Sequence, residues 1–141
     1  MLKPLSLLIM RIGTGMLLVL WGSLRLAEPG MGSQLAEKYY GGVASASMLQ
    51  TGFAVFEVIL GALVVLGLLR KYTLPLQALV LLGGALAIWK HLLDPFGLYL
   101  HTDANLLFFP SLTVAGATLA LIAFRKEDTL SLDRVVKRFA D

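Results

Sequence analysis

The stretch from Phe53 to Leu69 reads FAVFEVILGALVVLGLL and carries one charge, Glu57, before Arg70 and Lys71 close it off. A run of this kind approaches the length of a membrane-crossing helix, about 20 residues for a hydrocarbon core of roughly 30 Å. A carboxylate at the centre of such a helix costs about 2.5–3.5 kcal/mol, so it is normally paired, protonated or turned toward a wet cavity. What Glu57 meets is therefore the first question the sequence raises.

The rest of the chain has the same character. Of its 141 residues 57% are hydrophobic and 15% charged, and the mean hydropathy is +0.80. A soluble domain keeps about 25% of its residues charged. The apolar residues fall in four blocks, 5–24, 53–69, 74–93 and 106–124, each near membrane length. Only Arg70-Lys71-Tyr72-Thr73 separates the second block from the third, which predicts an antiparallel hairpin. The expected fold is all-α: one domain over residues 1–141, a polytopic membrane four-helix bundle. The start could imitate a signal peptide, but Arg11 interrupts its apolar region. Its only exit, Arg25-Leu26-Ala27, has a bulky cation where a small residue is wanted, so a retained first span is expected. Without cysteine, disulfides, thiol redox chemistry and thiolate metal sites are excluded. The net charge of +3 does not point to nucleic acid, because the basic residues sit at the ends of apolar blocks.

Those basic residues set an orientation. Lys3, Arg70, Lys71, Arg125, Lys126, Arg134, Lys137 and Arg138 fall on one side, against Arg25, Lys38 and Lys90 on the other. The bias predicts both termini in the cytoplasm and, in a bacterium, an inner-membrane protein whose connections 25–52 and 94–105 face the periplasm. In the first connection Leu35, Ala36, Tyr39 and Tyr40 share a helical face between Pro29-Gly30 and Gly41-Gly42, predicting a short interfacial helix. Asp94-Pro95-Phe96-Gly97 stops the third span, and Pro110 predicts a kink in the fourth. In the tail, 129–141, Leu132, Val135, Val136 and Phe139 share a face flanked by Arg134, Lys137 and Arg138, the pattern of an amphipathic helix on anionic headgroups.

Lipid provides no hydrophobic drive for helix association, so small and polar residues choose the packing faces. Such stripes run through Arg11, Gly15, Leu18, Gly22 and Arg25; through Gln50, Ala54, Glu57 and Gly61; through Gln77, Gly84 and His91; and through Gly116 and Ala120. They predict helix packing at Gly15, Gly22, Gly61, Gly84 and Gly116, with a buried polar seam of Arg11, Glu57, Gln50 and Gln77. At 1.5 Å per residue Arg11 lies about 9 Å from the inner surface, Glu57 about 18 Å and Lys90 about 24 Å. Arg11 is the expected partner of Glu57, because Lys90 can reach water. The pair is either a structural lock or part of a polar cavity.

A second cluster, Trp89, Lys90, His91, Asp94, His101 and Asp103, gathers at the outer surface. Trp89 and His91 can anchor the interface, or His91 can donate a hydrogen bond to a quinone carbonyl. Two His and two Asp show no recognised ligand spacing, so no metal site is expected here, and no haem is expected because His101 lies in a loop. The sequence holds no Ser/His/Asp set, Gly-rich phosphate loop or HExxH motif. A chain with no enzymatic activity of its own is the expectation.

The opening RIGTGMLLVLWG, Arg11 to Gly22, and the second span EVILGALVVLGLLRKYT, Glu57 to Thr73, resemble the DoxX-like family of small four-helix membrane proteins. The resemblance covers nearly the whole chain. The family pattern has an Arg with following glycines in the first span and an acidic residue, Gly and a Leu-rich run in the second. Arg11, Gly13, Gly15, Gly22, Glu57, Gly61 and Gly67 stand at those positions. The family is named for a small subunit associated with a terminal quinol oxidase and thiosulfate:quinone oxidoreduction. Other members are linked to redox maturation, oxidative-stress complexes and receptor assembly. This chain lacks the cysteines of the redox-maturation members. The resemblance implies a non-catalytic subunit or assembly partner of a respiratory or redox complex, held by a membrane-protein partner or a second copy. The alternatives are a quinone-binding oxidoreductase component and a small transporter or lipid-handling protein.

Overall fold

The computed structural model describes residues 2–28, 30, 34, 37–38, 47–99, 101 and 110–140. The regular elements among them are helices: α1 Leu2–Ala27, α2 Ser47–Leu66, α3 Arg70–Ala87, α4 Trp89–Leu93, α5 Pro110–Ala123 and α6 Leu132–Ala140. Two, α1 and α2, are long and apolar enough to cross a membrane. Both begin before the expected blocks, and α1 also runs past its block to Ala27. The third block departs further from expectation. Its helix ends at Ala87, Ile88 takes φ −101° and ψ 18°, and α4 resumes at Trp89. Because α3 also begins on Arg70-Lys71 and carries Gln77, its apolar length is less than the block suggested. Helix α5 is described from Pro110 onward, so the expected kink falls at the edge of the described residues. Leu35, Ala36, Tyr39 and Tyr40, expected on an interfacial helix, lie outside the described residues, as do Asp103 and the start of the fourth block.

The polarity of the helices is inside out. Along α1 the buried residues are Leu7, Arg11, Thr14, Gly15, Leu18 and Gly22. The opposite face exposes Leu5, Ile9, Ile12, Met16, Leu20 and Leu24. In α2, Ala54, Glu57, Leu60 and Val64 are buried, whereas Phe53, Phe56, Ile59 and Leu66 are exposed. A helix on a soluble core buries its apolar stripe and exposes its charges. Helices surrounded by lipid do the reverse, since small and polar side chains gain from packing and large apolar ones are already solvated.

Glycine brings α1 and α2 into backbone contact. A Cβ on Gly15 would stand 2.9 Å from the Gly61 carbonyl oxygen, and one on Gly61 would stand 2.5 Å from that of Gly15. A Cβ on Gly22 would lie 2.6 Å from the Ala54 oxygen. Such approaches admit no side chain. They fix an antiparallel register in which Gly15 faces Gly61 and Gly22 faces Ala54 to Val58. Helix α3 packs mainly on α5, while α1 also touches α5 and α2 touches α3. Leu7, Leu18, Leu60, Val64, Leu74 and Leu121 form the apolar core between them. At Gly84 and Gly116, expected at packing faces, and at Gly83, a Cβ would meet nothing among the described residues.

The turn between α2 and α3 is Gly67-Leu68-Leu69, not the expected Arg70 to Thr73, which form the first turn of α3. Gly67 has φ 70°, the Gly67 N–H donates to Val64 O at 3.0 Å and the Leu68 N–H donates to Leu63 O at 3.0 Å. This paired arrangement is a Schellman motif, which closes a helix through a left-handed glycine.

Candidate functional site

At one end of the protein four chain segments meet around buried charge. Arg11, on the third turn of α1, and Asp128, in the segment after α5, are each 1% exposed. Arg11 Nε lies 3.4 Å from Asp128 Oδ2, and Arg70 Nη1 lies 3.1 Å from the same oxygen. Arg11 Nη2 donates to the Leu130 carbonyl. Arg70 Nη1 also donates to Asp128 O at 2.7 Å and to Arg125 O at 3.2 Å. The guanidinium of Arg11 fills the space that a side chain on Gly67 would need. Outside this cluster Lys3 approaches Glu127 at 3.7 Å and lies over the Phe124 ring. The start of α1, the α2–α3 turn and the tail therefore share one end of the molecule.

Asp133, in the first turn of α6, completes the cluster. Its two oxygens accept the Leu69 and Arg70 backbone N–H groups at 2.8 and 2.9 Å, and Arg70 Nε at 3.3 Å. The Asp133 N–H donates to Gly67 O at 3.1 Å. A carboxylate from α6 thus occupies the N-terminus of α3, where orphan donors and the helix dipole favour negative charge. Burial works against the charged form of Asp133. The backbone donors of Arg70 and Leu69, with the Arg70 guanidinium, outweigh that and hold its pKa below the ordinary aspartate value.

A depressed folded pKa contributes stability that is complete above the unfolded value, about 3.9, and is lost as pH falls through the folded one. A spin label at Val136→Cys should accordingly stay immobilised from neutral pH to about 4, then gain mobility on further acidification. Asp133→Asn should leave the label mobile throughout. An immobile label in that variant would show that the carboxylate does not hold α6.

Glu57 does not meet Arg11. Its carboxylate pairs with Arg25 Nη1, the two side chains being 5% and 17% exposed. Arg25 also covers the Phe53 ring at 5.2 Å, one turn before Glu57. The correction follows from register. Glu57 Cβ lies 3.1 Å from where a Cβ on Gly22 would stand, and Arg11 is eleven residues away, about 16 Å along α1. Because α1 continues to Ala27, Arg25 remains on the packed face. The seam divides into two ionic locks near opposite ends of the α1–α2 pair.

No family model, curated protein or solved structure matches this chain. Its geometry must therefore stand without a template. Gln77 is fully buried, and neither amide atom has a hydrogen-bond partner among the described residues. Gln50 is partly buried at the opening of α2.

The outer cluster does not converge as a single site among the described residues. Asp94 turns inward, its oxygens accepting Leu98 N–H at 3.0 Å and Tyr99 N–H at 2.9 Å, so it shapes its own loop. Lys90 lies over the Trp89 ring at 5.9 Å, and both are exposed. His91 is half-buried and His101 is exposed with φ 51°. Among the described residues no three His, Asp or Glu side chains stand together as a metal site. The residues that organise the other end, Asp128 and Asp133, were not singled out by sequence reasoning, and Arg70 was read only as a topology signal.

Proposed function

We propose that this chain is a small polytopic protein of the bacterial inner membrane, with both ends cytoplasmic and its helices bundled. In this reading it acts as a non-catalytic subunit or assembly partner of a respiratory or redox complex. The observation that carries the subunit reading is the set of small residues Gly83 and Gly84 on α3 and Gly116 on α5, where a Cβ would meet nothing among the described residues. On α1 and α2, Gly15, Gly22 and Gly61 are consumed by the contact between the two helices, whereas Gly13 and Gly52 meet no described neighbour. In lipid, unused small residues suit the close approach of another helix, from a partner or a second copy. The polar groups of α1 and α2 support the same reading, since Glu57 is paired with Arg25 and Arg11 with Asp128. The respiratory setting comes from the resemblance of Arg11–Gly22 and Glu57–Thr73 alone.

Gentle extraction of the full chain should bring down a membrane partner in fixed ratio. Gly116→Leu should reduce that recovery at least tenfold while the far-ultraviolet spectrum is unchanged. A lone monomer, together with intact respiratory complexes in a deletion strain, would refute the proposal. A second reading, a quinone-binding component, draws support from Gln77, whose idle buried amide costs about 1–3 kcal/mol unless a ligand uses it. Quinone that co-extracts with the native chain but not with Gln77→Leu would favour it.

A further inference from the structure

The same end of the protein that buries Arg11 and Asp128 presents a groove of about 640 Å³, walled by Arg70, Lys71, Arg125, Lys126, Arg134 and Lys137 together with Asp133. Asp133 is already committed to Arg70 and the backbone of α3. That leaves five cations. Among the described residues no carboxylate lies within salt-bridge distance of Lys71, Arg125, Lys126, Arg134 or Lys137. Arg134 Nη2 reaches only a carbonyl, that of Lys126, at 2.6 Å.

Five like charges held around one groove repel one another, and besides the Arg134 bond the one other polar or ring contact of these side chains among the described residues is Lys71 over the Tyr72 ring at 5.6 Å. Of the groove's cations only Arg70 takes part in the ion cluster beneath. Three segments nevertheless converge here: the first turn of α3, the end of α5 and the docked helix α6. Beside the groove α6 exposes Leu132, Val135 and Val136, an apolar strip suited to the acyl boundary of a bilayer. A surface that offers cations for a phosphate and apolar side chains for a chain beneath it is complementary to a phospholipid, not to a soluble polyanion.

We infer that this groove is a binding site for the phosphate headgroup of an anionic phospholipid. The lipid enters between α6 and the α3–α5 end, and Lys71, Arg125, Lys126 and Lys137 contact its phosphate. Arg70 is not counted among the ligands, since its Nε is committed to Asp133 and its Nη1 to the Asp128 and Arg125 carbonyls. The site rests on the membrane-spanning reading proposed above, but not on any protein partner.

The test uses the full chain in neutral detergent, offered equal phosphatidylglycerol and phosphatidylcholine and examined by native mass spectrometry. The expected result is one retained phosphatidylglycerol, with preference falling about fivefold for each of Lys126→Gln and Lys137→Gln. Both side chains are exposed and outside the ion cluster, so the variants should keep the native circular dichroism spectrum and melting midpoint. A further arm adds glycerol 3-phosphate in millimolar excess. Failure of this soluble phosphoester to displace the lipid supports the proposal, and full displacement would reassign the groove to a soluble phosphate. Equal retention of the two lipids, or an unchanged preference in the double variant, would overturn the headgroup site. Either result would leave the membrane topology untouched, because that is read by a separate labelling experiment.

Discussion

Asp128→Ala is expected to destabilise the protein by about 3–5 kcal/mol, the usual consequence of removing one partner from a buried ion pair. Asp128 stands between two guanidinium groups, Arg11 Nε at 3.4 Å and Arg70 Nη1 at 3.1 Å, and both it and Arg11 are almost wholly buried. Its removal leaves Arg11 with only the Leu130 carbonyl. Arg70 keeps Asp133, so the damage should centre on Arg11. The double variant Arg11→Met/Asp128→Leu should recover most of the loss, since apolar residues of similar volume commonly replace a buried pair at little cost. Denaturant unfolding in detergent, followed by circular dichroism, gives both numbers. A loss below about 1 kcal/mol for Asp128→Ala would mean that Arg11 finds water and that the cluster is not sealed.

Gly67→Val should be at least as severe. Its φ of 70° costs a residue with a Cβ about 1–2 kcal/mol, and a β-branched one more. A Cβ would also overlap the Arg11 guanidinium and stand 2.8 Å from Ser131 Cβ. Arg11 must then leave its place beside Asp128, which adds the cost of an unpaired buried charge. Gly67→Ala combined with Arg11→Met separates the two causes. The combination should lose only the backbone part, roughly 1–2 kcal/mol relative to Arg11→Met. If Gly67→Ala costs the same with and without Arg11, the close approach of the two residues has no energetic weight.

The helical class and the two helices long and apolar enough to cross a membrane were legible in the sequence because long apolar blocks with few charges leave a backbone little alternative. The packed face of α1 was legible too: Arg11, Gly15, Leu18, Gly22 and Arg25 recur at steps of three and four, and that stripe already contained the true partner of Glu57. The choice of Arg11 failed because depth was counted from block ends. The glycine contacts, which set the actual register, are tertiary facts. The division of the third block at Ile88 had no breaker residue to announce it. The charges at the tail end were read one at a time, as topology and as an amphipathic face. That reading passed over Asp128 and Asp133, whose role depends on a segment 55 or more residues away in sequence, where Arg70 waits. Three acids, Glu127, Asp128 and Asp133, placed between Arg125-Lys126 and Arg134 were the available signal. Gly84 and Gly116 fit helical stripes, yet spacing alone cannot say whether the facing helix belongs to the same chain.

The proposed topology puts the tail and the start of α1 together on the cytoplasmic side and the loop after α4 on the opposite side. The chain contains no cysteine, so single reporters are unambiguous. A membrane-impermeant maleimide applied to intact spheroplasts should label Tyr99→Cys and spare Lys126→Cys, with both labelled once the membrane is opened. Labelling of Lys126→Cys in intact spheroplasts, or protection of both positions, would contradict the account.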